Sequence, residues 1–145
     1  MPKVRLLVAL SAFAVAACAT PSQPSAGAGE NTGVLAQAGP EFQLAIGGTA
    51  RLDGTSSRIT LRSVAEDSRC PADVQCVWAG NARLLLTLST EGRADTSVSI
   101  NTGIEPRSVL VSGYLLRVIS LTPQPRSGTA IPGNTYVARF VLAAM

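Results

Sequence analysis

Histidine is missing from this 145-residue chain, and lysine occurs once, at position 3. The first absence removes the Ser-His-Asp and Cys-His arrangements and every His-ligated metal site, because no other side chain titrates near neutrality without a large shift. Aromatic residues make up 4% of the chain and charged residues 14%. Basic runs interleaved with aromatics are absent, so nothing in the pattern points to nucleic acid. The longest uncharged apolar run, residues 6 to 17, is far short of the roughly 20 residues a membrane-crossing helix requires.

That run is nonetheless informative. Lys3 and Arg5 precede it, and the order of a short positive region followed by about 12 apolar residues is that of an export signal. It ends in Val-Ala-Ala-Cys at residues 15 to 18. This ending resembles the lipobox of bacterial lipoproteins, which implies removal of residues 1 to 17 and acylation of Cys18 as the first residue of the mature chain. Ordinary secretion with cleavage at a small residue is the alternative. Two or three acyl chains anchor stably where one binds only reversibly. Ala19, standing where an inner-membrane retention signal would carry Asp, favours the outer membrane if the organism has one. The expected localisation is therefore the cell envelope, with the lipid bilayer as a partner through Cys18.

Export changes the reading of charge and of cysteine. Without Lys3 and Arg5 the chain keeps ten arginines, scattered singly, against nine acids. Of three cysteines, the lipobox takes Cys18 and leaves Cys70 and Cys76 to pair in an oxidising compartment. Closing a loop of about seven residues should contribute on the order of 2 kcal/mol through the unfolded state. A redox couple is disfavoured: the spacing is not Cys-x-x-Cys, Pro71 breaks the local helix, and no helix N-terminus is available to lower a thiol pKa. Zinc would need about four ligands, and only Glu66, Asp67 and Asp73 stand near the cysteines. Neither a metal nor a cofactor is expected. Carboxylate catalysis needs two acids facing one cleft, but the nine acids fall mostly in turns, and Glu66 and Asp67, adjacent in sequence, would point to opposite faces if they lay on a strand. No catalytic residue is assigned.

Residues 19 to 40 are built mainly from Ala, Gly, Ser, Pro and Gln and cannot bury enough apolar surface to offset the entropy of ordering. They read as a flexible tether, with Val34 to Ala36 the one short run that could join the fold as an edge strand. The domain is expected over residues 41 to 145. Its period is two: Phe42, Leu44 and Ile46; Ile59 and Leu61; Leu84, Leu86 and Leu88; Val98 and Ile100; residues 113 to 121; and Tyr136, Ala138, Phe140 and Leu142 along the last strand. Short strands divided by Gly, Pro, Ser and Asp clusters predict an all-β, antiparallel sandwich or barrel of about six to eight strands. Tyr136 stands where a hydroxyl could bond back to nearby backbone, as in a tyrosine corner.

Asp-Ser-Arg-Cys-Pro at residues 67 to 71 and Cys-Val-Trp-Ala-Gly at 76 to 80 form the most distinctive stretch. A stapled loop is expected over residues 66 to 75, with a strand resuming at Cys76 and Gly80 marking a bulge or a close backbone approach within it. Trp78 is either a core plug on the disulfide or an exposed anchor. The scarcity of aromatics and the affinity of sulfur for an indole favour the core. The two-part motif resembles a family of small bacterial exported proteins and lipoproteins without an established activity. The resemblance implies an envelope β domain with a stapled loop and an acidic residue at position 81, where this chain has Asn. The functional expectation is a non-catalytic binding or inhibitor module that presents Arg69, Asp73 and Trp78 to an envelope protein or glycan. The alternatives are an accessory envelope lipoprotein without a discrete ligand and, last, a carboxylate- or thiol-dependent enzyme.

Overall fold

Alternating apolar residues build nine β-strands along residues 33 to 145, the span that the computed structural model describes. They are β1 (Val34–Ala36), β2 (Glu41–Ala45), β3 (Thr49–Leu52), β4 (Ser57–Asp67), β5 (Ala82–Thr90), β6 (Thr96–Asn101), β7 (Ser108–Val111), β8 (Tyr114–Thr122) and β9 (Val137–Ala144). The signal segment and Cys18 lie outside the described residues. Among those residues the helical content is one 3-10 turn, Gly133–Thr135.

Two sheets pack face to face. One has the order β1-β3-β4-β5-β6 and the other β2-β9-β8-β7. All pairings are antiparallel except β1 with β3. The small antiparallel sandwich expected from the period-two pattern is therefore present, with nine strands against an expected six to eight. β1, β3 and β7 are three or four residues long, too short to show a period of two. β1 also falls inside the stretch read as tether, so the fold begins before the expected boundary at residue 41. Ala36 is buried and its carbonyl accepts from the Asp53 amide, which ties this strand to the core.

The inner faces follow the alternation. Tyr136, Ala138, Phe140 and Leu142 are all buried, while Arg139 between them is exposed and reaches Glu41. Phe140 stacks on Phe42 with ring centroids 5.7 Å apart. Burying a side chain of this size stabilises the fold by roughly 1.5 to 3 kcal/mol. Three irregularities break the period. In β8 a bulge between Val118 and Ser120 turns Ile119 outward and lets both Leu116 and Leu121 face inward. In β4 two successive shifts set Leu61, Val64 and Asp67 opposite Leu86, Leu84 and Ala82. Each extra residue reverses which face the following side chains take. The second shift brings a carboxylate, Asp67, to the inner edge of the sandwich.

Candidate functional site

Beyond Asp67 and before Ala82 the chain makes a long excursion, residues 68 to 81. Its two limbs run antiparallel: the Ser68 amide donates to the Asn81 carbonyl at 2.7 Å and the Cys70 amide to the Ala79 carbonyl at 3.1 Å. The strand expected to resume at Cys76 starts only at Ala82. Gly80 explains why. Its φ is +74°, and a Cβ there would lie 2.0 Å from the Ser68 carbonyl oxygen. Only glycine takes that conformation without steric cost while letting the second limb lie so close. The close approach expected of Gly80 is present, but in the loop.

Cys70 and Cys76 are bonded, with their Cα atoms 5.9 Å apart, an ordinary separation for a disulfide. The bridge closes residues 71 to 75, whose turn is made by the Val74 amide and the Pro71 carbonyl. Two residues remain between the disulfide at Cys76 and the backbone bond at Ala79. They are Val77 and Trp78, 92% and 81% exposed. The expectation of a core tryptophan is thus overturned. The inner face at this end is already occupied by Ala82, Leu84 and the Asp67 cluster, and the clamped limbs hold the indole outside.

Arg69, expected as an exposed contact, is also reassigned. Its side chain is only 10% exposed and forms a forked pair with Asp67, Nε to Oδ1 at 2.8 Å and an Nη to Oδ2 at 2.7 Å. The same guanidinium donates to the carbonyl of Leu121 on β8 of the opposite sheet and to that of Pro123 just beyond it. Tyr136 donates its hydroxyl to Asp67 Oδ2 at 3.0 Å, so this hydroxyl reaches a distant carboxylate in place of nearby backbone. Burial pushes the Asp67 carboxyl up, but the Arg69 side-chain and backbone donors, the Arg69 charge and the Tyr136 hydroxyl outweigh it and hold the group below the usual carboxylate range. For Tyr136, burial and then the neighbouring Asp67 push the phenol above its ordinary value. A forked guanidinium-carboxylate pair fixes orientation as well as charge. Its effect here is to lock the loop to both sheets.

Asp73 is exposed, as expected, yet its carboxylate is engaged. Oδ1 accepts from the Ser127 amide at 2.9 Å, and the Ala72 amide donates to Pro125. The Ser127 amide is the first cause of a lowered Asp73 pKa. The stapled loop therefore leans on the loop of residues 123 to 136. On its other side Asn81 uses both ends of its amide, donating to Asn101 Oδ1 and accepting from the Gly103 amide, each at 2.9 Å. Gly103 is itself so close that a Cβ would lie 2.3 Å from the Gly80 carbonyl oxygen. Three loops are thus joined at one end of the sandwich.

Of the candidates read from sequence, the structure brings Arg69, Asp73, Trp78 and the disulfide into one loop but separates their roles. Arg69 and Asp73 fasten the loop, while Trp78 faces water. Val77 was missed because a lone valine carries no signal. Asp67 could have been found: its Oδ1 accepts from the amide two residues on, at 3.2 Å, the local bond that Asp before a turn commonly makes. Among the described residues no three Cys, Asp or Glu side chains are grouped to hold a metal ion.

The fold and this site define a small β-sandwich with a disulfide-stapled, apolar-tipped loop. No family model, curated protein or solved structure matches the chain.

Proposed function

We propose that the chain is an exported, lipid-anchored binding module, non-catalytic, whose contact with the cell envelope is the tip of the stapled loop. One observation carries this reading: Val77 and Trp78 stand in water on backbone that is fixed on both sides. An exposed tryptophan gains little for folding, whereas at an interface it supplies a large contact area and a polar N–H. The clamped backbone means that little conformational entropy is lost when a partner closes on it. Arg69 contributes indirectly, by holding the loop.

Photo-crosslinking in intact envelopes tests the proposal. A photoreactive residue replacing Val77 is expected to give an adduct of discrete composition, whereas the same residue replacing Glu91, in a distant exposed turn, gives none. Identical, diffuse labelling from both positions would overturn the binding reading in favour of an accessory lipoprotein without a ligand.

A further inference from the structure

Every large apolar side chain exposed on a loop of the described residues lies at one end of the sandwich. Val74, Val77 and Trp78 are on the stapled loop and Ile104 is on the adjoining loop of residues 102 to 107. The other exposed large apolar residues are on strands or at Met145. Residues 37 to 40, 53 to 56, 91 to 95 and 112 to 113, which connect strands at the opposite end, expose none. Near the apolar tip, Asp67 pairs with Arg69 and Glu66 with Arg83. Asp73, Glu105, Arg107 and Arg126, exposed at the same end outside these ion pairs, set two acids against two bases, so the surface offers apolar contact without a net charge.

The direction of the first strand bears on what meets that end. β1 runs parallel to β3, from Val34 beside Ala50 to Ala36 beside Leu52. β3 is antiparallel to β4, and β4 ends at Asp67, where the stapled loop begins. β1 therefore runs away from the stapled-loop end, and the chain enters Val34 from that side. Residues 19 to 32 separate Cys18 from Gly33, and the fifteen residue-to-residue steps reach at most roughly 50 Å even when fully extended. An acylated Cys18 would keep this domain within that distance of a lipid surface.

We infer that the stapled-loop end seats on the lipid bilayer itself, with Val77 and Trp78 inserted at headgroup depth. This rests on the binding reading above and names its partner. An indole suits that depth because its ring is apolar and its N–H can still reach water or a headgroup. A convex two-residue tip on rigid backbone enters a soft interface without requiring a matching cleft. The stable acyl anchor then holds the weakly binding tip at a high effective concentration near the bilayer through a short linker.

Trp78 is the sole tryptophan, so its fluorescence reports the tip alone. The acylated full chain is reconstituted into phosphatidylcholine vesicles, with and without bromine on the acyl chains close to the glycerol. The expected result is a blue-shifted emission, quenched by the brominated lipid and protected from aqueous iodide. Val77→Asp, a change at an exposed position, should restore iodide access and abolish quenching by bromine. Emission typical of an indole in water, with full iodide access and no quenching by bromine, would overturn the lipid seat. A discrete protein or glycan adduct at position 77 would then preserve the binding module while assigning it another partner, and its absence would remove both readings.

Discussion

The hydroxyl of Tyr136 and the carboxylate of Asp67 meet at 3.0 Å across 69 positions of sequence. The contact joins the entry to β9 in one sheet to the end of β4 in the other, at a carboxylate already forked by Arg69. Removing any member leaves a polar partner poorly satisfied near the core, which costs more than the net value of the bond.

Asp67→Asn is expected to destabilise the domain by about 2 to 4 kcal/mol, because it leaves the sheltered guanidinium of Arg69 without its counter-charge. The pH dependence should follow. The Asp67 pKa is lowered in the folded state, so its stabilisation is present above the unfolded value near 4 and fades as pH falls through the folded one. Urea titrations between acid and neutral pH should show a steeper acid loss for the native chain than for the variant.

Trp78→Ala should change stability by no more than about 0.5 kcal/mol, as expected of an exposed side chain. Phe140→Ala should cost about 3 to 5 kcal/mol by comparison, since it empties a fully buried site against Phe42. Unfolding followed by far-ultraviolet circular dichroism distinguishes the two. A large loss on replacing Trp78 would mean that the indole packs inward.

The contrast between these two aromatics also shows what the sequence could reveal. Tyr136, Ala138, Phe140 and Leu142 display their common face through strict alternation, and the structure buries all four. The residues 62 to 67 have no such period, because two bulges interrupt it. Asp67 therefore looked like another solvated turn acid. Trp78 was misplaced for a related reason. Composition says that a rare indole tends to be buried, but the close passage of Gly80 past Ser68 decides which side of the loop it occupies, and that is a fact of three dimensions. Arg69 reads from sequence as an exposed contact but is sheltered in the structure, and its carbonyl partners, 52 and 54 positions away, leave no local signal of this.

Gly80→Ala and Gly92→Ala form a matched pair, both at a φ of +74°. At Gly92 nothing lies within 4 Å of the added carbon, so the cost is the backbone term alone, about 1 kcal/mol. At Gly80 the new methyl meets the Ser68 carbonyl oxygen at 2.0 Å, and the limbs must separate. The loss there should exceed that at Gly92 by at least about 1 kcal/mol, as read from chemical denaturation of both variants.

Replacing Cys70 and Cys76 by serine should cost about 2 kcal/mol through the freed seven-residue loop. The sheets should persist. Hydrogen exchange is the sharper check: the amides of Cys70 and Ala72, bonded to Ala79 and Pro125, should lose protection, while those of Leu84 and Phe140 keep theirs.

The three-residue strand β1 also has a mechanical consequence. A load applied through Gly33 and directed back toward the stapled-loop end runs along the strand axis, against bonds that lie across it. All the links of β1 to β3, together with the Ala36 carbonyl bond to Asp53, then resist in shear and must yield together. A pull at right angles would peel them one by one. The strand's direction thus makes the short first strand a strain relief, so that tension on the linker is taken up at one sheet edge before it reaches the core. Force spectroscopy with handles along and across that axis should find the higher rupture force along it.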